Sequence, residues 1–319
     1  MKKVLEIDGG GLRGIIPLTV CNEIEKATGK SIAKSFNLAT GTSVGAIITA
    51  SFAAGASAAD LLDIFINKGA EIFDPRHSFV PFRFLPPIYS RESGEKIISE
   101  FVGEKTFGET EIDLLVTAYG ICGNRTHFVK SWIDEHKNIK LIDAISWSAL
   151  SGAYYFDKID APDYKWKYTH PDGSQTDHVG ECFQDGGQGS ENCTLVASIV
   201  ESLSRKWQEK GDVAILSLGS GGVNEYTPYD QAKDESSYKQ IIKFPMEART
   251  DSSTQQLLTA NHLCKSYDFL KIVRSNVEIP KEMNIIDGVR YIPDYVEAGK
   301  KAAKEALANP TFVKYFLDQ

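Results

Sequence analysis

Along residues 1–55 the apolar positions trace one pattern twice. Val4 to Ile7 is a short apolar run closed by Asp8 and three glycines. Ile15 to Ala27 then carries Ile16, Val20, Ile24 and Ala27 at helical spacing, so the stretch predicts strand, glycine turn and helix. Phe36 to Thr40 reads as a second short strand. After Gly41-Thr42-Ser43, the stretch Val44 to Ala54 is small and apolar throughout, as in a helix buried on most sides. Further along, Leu114 to Tyr119 and Thr126 to Trp132 predict neighbouring strands across the Gly120 to Asn124 turn. Leu141 to Leu150 and Thr194 to Trp207 predict helices, Val213 to Leu218 and Phe269 to Ser275 strands, and Tyr295 to Leu307 an amphipathic helix with its lysines and Glu305 toward solvent. Strands alternating with helices imply an α/β fold with a largely parallel central sheet.

Two stretches break this rhythm. Residues 74–90 hold prolines and aromatics, among them Phe79, Phe82, Phe84 and Tyr89, and read as an irregular, lid-like apolar loop. Residues 157–184 form a polar and aromatic insertion, with Asp172-Gly173 as the tip of a hairpin. No repeat or flexible linker divides the chain, so a single elaborated domain over 1–319 is expected.

Composition narrows the class. Hydrophobic residues make up 42% and charged residues 24%, ordinary for a soluble globular protein. A net charge of −8 gives no general attraction to a nucleic acid polymer. No run reaches the ~18 apolar residues of a spanning helix, and the N-terminal apolar core is too short for a signal peptide. The five cysteines are scattered, odd in number and without CxxC spacing. They point to free thiols in a reducing compartment, hence a cytoplasmic protein. There is no HExxH and no dense carboxylate cluster, so no metal and no cofactor is expected.

The chemistry-bearing residues sit at the turns. "GTSVG", Gly41, Thr42, Ser43, Val44 and Gly45, fits G-x-S-x-G with a strand before it and a helix after it. In that context the serine stands on a strained turn with its hydroxyl exposed. The helix start also offers an N–H group and the positive end of the helix dipole beside the serine oxygen. A nucleophilic serine needs a base. Of the six histidines only His262 lies late in the chain, where a triad histidine might sit, and after the helical run Gln255 to Ala260 it reads as an ordinary surface or helix residue. The other candidate is Asp185, followed by Gly186 and Gly187. Alone this is a turn signal, but a partly desolvated carboxylate on a tight loop has the raised pKa a base needs.

The glycine turn after the first strand, Gly9, Gly10, Gly11, Leu12, Arg13 and Gly14, allows two readings. As GxGxxG it would cradle a dinucleotide, yet the second strand ends in Thr40 and Gly41 where an acid for the ribose belongs. As a nest, the N–H groups of Gly10, Gly11 and Leu12 would hold an oxyanion formed at Ser43. Arg13 fits either reading or a surface ion pair, and Asp8 reads as a cap on the glycine turn.

Three blocks in order, "DGGGLRG" (8–14), "GTSVG" (41–45) and "DGG" (185–187), resemble the patatin-like phospholipase family, as do "ISWSALSGAYYF", "DGGQGSEN" and "ILSLGSG". The likeness is good over about residues 3–222 and loose beyond. Cys193 stands where relatives often place proline, and the insertion before Asp185 is long. The resemblance implies a three-layer α/β sandwich related to the cytosolic phospholipase catalytic fold. It also implies a Ser43–Asp185 dyad, an oxyanion loop over Gly9–Gly14, and hydrolysis of phospholipid acyl esters with transient membrane contact. Some bacterial relatives are effectors switched on by a cyclic nucleotide in antiphage defence, which makes a small nucleotide activator a further expectation. The competing expectations are a nucleotide-binding protein using GxGxxG and a non-catalytic interaction or sensor protein.

Overall fold

The computed structural model describes residues 1–73, 88–152, 155–189, 191–223 and 252–317. Eight strands form one sheet: β1 (Lys2–Ile7), β2 (Leu38–Gly41), β3 (Asp113–Gly120), β4 (Arg125–Lys130), β5 (Ile159–Thr169), β6 (Gln175–Asp185), β7 (Val213–Leu218) and β8 (Leu270–Ser275). Their order is β5-β6-β3-β2-β1-β7-β8, with β4 also paired to β3. The run β3-β2-β1-β7-β8 is parallel, whereas β4, β5 and β6 join antiparallel. The expected α/β architecture with a mostly parallel sheet is therefore present.

The described α-helices of four residues or more are α1 (Ile15–Thr28), α2 (Ile32–Ser35), α3 (Val44–Ala53), α4 (Ala58–Ile72), α5 (Glu92–Val102), α6 (Leu141–Ala149), α7 (Leu195–Ser204), α8 (Ser252–Ser266) and α9 (Ile292–Ala308). Alternation along the strands splits the core in two, because successive side chains leave a strand on opposite faces. Leu5, Ile7, Ala39, Leu114, Val116 and Leu216 pack under α1, α3, α4, α6 and α9. Val4, Leu38, Leu115, Val213 and Ile215 pack under α7 and α8 with Leu195, Ile199 and Ala260. The result is helix, sheet, helix in three layers.

Sequence expectations and structure differ in instructive ways. The helix expected at Val44–Ala54 is buried at every position, but α4 and α5 escaped the pattern reading. The C-terminal helix is longer than Tyr295–Leu307. It turns Tyr295, Ala302, Ala303 and Ala306 inward against α1, leaving the lysines outside. Gly299 permits that approach: a Cβ there would stand 2.6 Å from Thr19 Cβ. The insertion is the β5–β6 hairpin, with Thr169 opposite Gln175 and Gly173 at φ +85 in the turn, as its Asp-Gly tip required. Most of the lid-like loop, 74–87, lies outside the described residues. Among the described residues no helix is long and apolar enough to cross a membrane.

β4 occupies one edge of β3 from Leu115 to Gly120, which leaves one edge for everything else. β2 takes the first part of that edge, ending with Gly41 opposite Val116, and β6 arrives from the other direction to end with Asp185 opposite Ala118. Two strands running toward each other thus stop almost end to end, and whatever follows each of them meets at the gap.

Candidate active site

Ser43 stands in that gap, between β2 and α3, with φ +54 and ψ −126. This backbone is costly for a residue with a side chain and persists only where surroundings impose it. The imposition is visible. Thr42 Oγ1 hydrogen-bonds Thr117 Oγ1 at 2.6 Å, and the Ser43 N–H donates to Ser148 Oγ of α6 at 2.9 Å. The two flanking glycines allow close backbone crossing. A Cβ on Gly41 would lie 2.4 Å from the Gly45 carbonyl carbon, and one on Gly45 would lie 2.1 Å from Ile7 O.

The Ser43 hydroxyl donates to Asp185 Oδ2 at 2.7 Å. The other carboxylate oxygen accepts from the Gly187 N–H at 2.8 Å, which fixes the orientation of the group. Removal from bulk water pushes the Asp185 pKa up to about 6, and the bonds from Ser43 and Gly187 hold it back from rising further. Gly186 is needed for contact rather than flexibility, since a Cβ there would meet Thr117 Oγ1 at 2.4 Å. Among the described residues no histidine enters this arrangement, and His262 is exposed on α8.

The glycine loop lies against the serine: a Cβ on Gly9 would be 3.1 Å from Ser43 Cβ. Its amides are not all available, which corrects the expected nest. Gly9 N–H donates to Asn192 O at 2.9 Å and Leu12 N–H to Ile286 O at 2.8 Å. The N–H groups of Gly10 and Gly11 have no acceptor among the described residues, so the nest narrows to these two, and Gly14 is turned into the short helix Gly11–Gly14 against Val44. The Val44 N–H, first in α3, is likewise without an acceptor there, as expected at a helix start.

Arg13 and Asp8 also depart from expectation. Among the described residues Arg13 makes no ion pair; its Nη1 donates to Gly221 O at 3.1 Å beneath the loop. Asp8 does not cap the turn, because its carboxylate points to the far helix layer and pairs with Arg274 at 2.6 Å. Ser148 and Asn192 were visible in the sequence only as parts of longer blocks. Nothing in their local spacing marks them as partners of Ser43 and Gly9, which are reached through the fold.

The sequence model of the patatin-like phospholipase family matches residues 5–198, and the chain belongs to that family. It is 27% identical over 252 residues to a cGAMP-activated phospholipase of Vibrio cholerae, covering 70% of this chain and 65% of the relative. A second cGAMP-activated phospholipase, from Escherichia coli, is 27% identical over 237 residues, covering 69% of this chain and 62% of the relative. Patatin-17 of Solanum cardiophyllum is 23% identical over 297 residues, covering 85% and 73%. The chain thus spans a little under two thirds of the two bacterial relatives.

Proposed function

We propose that this protein is a lipid acyl hydrolase working through a Ser43–Asp185 dyad. The observation that carries the reading is the 2.7 Å hydrogen bond from a serine on a strained elbow to a carboxylate with a raised pKa. A base titrating near 6 is ionised at neutral pH while still able to take a proton.

Ser43 Oγ forms a bond to the ester carbonyl carbon as its proton passes to Asp185 Oδ2. The carbonyl electrons move onto oxygen, where the Gly10 and Gly11 amides, with the α3 start nearby, stabilise the charge. Collapse expels the alcohol, which takes the proton from Asp185 and leaves the acyl chain on Ser43. Water then gives a proton to Asp185, attacks the acyl-enzyme and releases the fatty acid, and the proton returns to Ser43. A substrate ester held in a bilayer requires transient contact with a membrane surface.

The names of the two bacterial relatives support a second element, activation by cGAMP. One experiment tests both. Fatty acid release from mixed phospholipid vesicles is measured for wild type, Ser43→Ala and Asp185→Asn, with and without cGAMP. Release by wild type alone is expected, and equal release by all three proteins overturns the dyad. Release independent of cGAMP overturns the activation.

A further inference from the structure

Three glycines in a row give the loop after β1 no side chains with which to fix itself, yet the two free amides can act on a developing anion only if held still. Besides the bonds of Asp8 N–H to Leu218 O and of Arg13 Nη1 to Gly221 O, four attachments hold it. Gly9 N–H is bound by Asn192 O, Gly9 O by the Ser220 hydroxyl at 2.7 Å, Leu12 N–H by Ile286 O, and Asp8 by Arg274. Three of the four partners lie beyond the residues matched by the family model.

The Arg274 attachment is the most elaborate. Glu6 pairs with Ser217 across β1 and β7, and Ser217 with Arg274 across β7 and β8, so the three side chains stand in a row on one face of the sheet. Asp8, two residues on from Glu6, shares that face. The guanidinium donates from Nη1 to Asp8 Oδ1 at 2.9 Å and from Nη2 to Asp8 Oδ2 at 2.6 Å, a bidentate pair, and from Nη1 to Ser217 Oγ at 2.8 Å. Glu6 Oε2 is 3.6 Å away. Ser253 of α8 donates to Asp8 Oδ2 at 3.2 Å and accepts from Asn192 Nδ2 at 3.3 Å, joining this cluster to the Gly9 anchor. Glu6, Asp8 and Cys193 have ligand atoms within 4.8 Å of one another, a spacing suited to a cation, and Arg274 supplies the positive charge there. Burial, reinforced by the neighbouring Asp8, pushes the Glu6 pKa up, and it is Asp8 that meets the guanidinium at two points.

We propose that Arg274 is a positioning residue for ester hydrolysis: by clamping Asp8 in two-point geometry it sets the direction of the Gly10 and Gly11 amides, so that the C-terminal part of the chain completes the oxyanion pocket. This rests on the reading of Ser43 and Asp185 as the dyad. A fixed donor pair is worth roughly 10²–10³ in rate per donor, so loosening the clamp lowers turnover far more than substrate capture.

The test uses the full chain with phosphatidylethanolamine and phosphatidylglycerol vesicles, with cGAMP present, and follows three quantities: kcat and KM, melting temperature, and amide hydrogen exchange of peptides covering residues 8–14. Arg274→Met is expected to lower kcat about 10²-fold with KM within about threefold, and to speed exchange over 8–14. Arg274→Lys, which keeps the charge but loses the fork, is expected to melt near wild type and still lose about tenfold in kcat. The double variant Asp8→Asn with Arg274→Met removes both charges, so its melting temperature recovers while kcat and exchange protection do not. Recovery of kcat to within about threefold in the double variant overturns the proposal, as it would make Arg274 a matter of charge balance alone. Unchanged exchange over 8–14 in Arg274→Met overturns it as well. If wild type releases no fatty acid, the dyad reading fails, and the exchange measurement alone decides whether Arg274 holds the loop.

Discussion

Gly41 and Asp185 end two strands that share a single edge of β3, opposite Val116 and Ala118. Residues far apart in sequence are thereby brought to 2.7 Å between Ser43 Oγ and Asp185 Oδ2 without any long side chain having to reach. Short, rotamer-poor side chains on strand ends make a rigid pair, which favours a reaction that depends on fixed geometry.

With Asp185 as the proposed base, hydrolysis takes its pH dependence from that carboxyl. Its carboxyl, pushed to about 6 chiefly by burial, must be ionised to accept the serine proton. The expected kcat/KM rises about tenfold per pH unit below 6 and levels off above it. A steady-state profile between pH 4.5 and 8 checks this, and a limb centred near the ordinary aspartate value counts against Asp185 as base.

Replacing that carboxylate should stabilise the fold while abolishing activity. A carboxyl with a raised folded-state pKa contributes stability below its unfolded value of 3.8 and loses it as pH climbs through about 6. Asp185→Asn, which cannot ionise, is therefore expected to exceed wild type by up to about 3 kcal/mol at pH 7.5 and to show no such gain at pH 3.5. Denaturant titrations at the two pH values measure the difference, and kcat should fall by at least about 10⁴-fold.

Gly45 leaves no room for a methyl group, since the nearest atom is a backbone oxygen of β1 at 2.1 Å from the added carbon. Gly45→Ala should cost about 3 kcal/mol, the upper end for forced overpacking, and should displace the elbow enough to remove most of the hydrolysis. Thermal melts and vesicle assays run together would show whether the two losses coincide.

Ser148 accepts the hydrogen bond of the Ser43 amide. Ser148→Ala leaves that amide without its partner and should cost about 1–3 kcal/mol. Turnover should fall by up to about 10²-fold as the serine loses its placement. The melting temperature and kcat of the variant check both numbers, and an unaltered kcat would mean that Thr42 and the glycines suffice to hold the elbow.

The parts of this protein legible in its sequence are those that local chemistry dictates. The β1-glycine-α1 and β2-elbow-α3 units follow from apolar periodicity and from glycines placed where backbones cross. Asp185 stood out because a carboxylate before two glycines followed two other blocks in a definite order. What remained hidden depends on register. Ser148 reads as one more small residue in an apolar helix, and Arg274 as one more cation in a strand; only the pairing of Ser217 with both Glu6 and Arg274 shows what that cation faces. The availability of the Gly9 and Leu12 amides was equally invisible, because their acceptors, Asn192 O and Ile286 O, are backbone atoms of distant segments.

The separation between the parts of the site also orders events during biosynthesis. A ribosome that has completed Ser43 must add 142 more residues before Asp185 exists, and Arg274 comes 266 residues after the Asp8 it binds. Until then the emerging chain carries a serine without its proposed base and a glycine loop without its proposed clamp. With lipid esters as the proposed substrate, a nascent polypeptide of this design meets the lipids of its own cell with that site still incomplete.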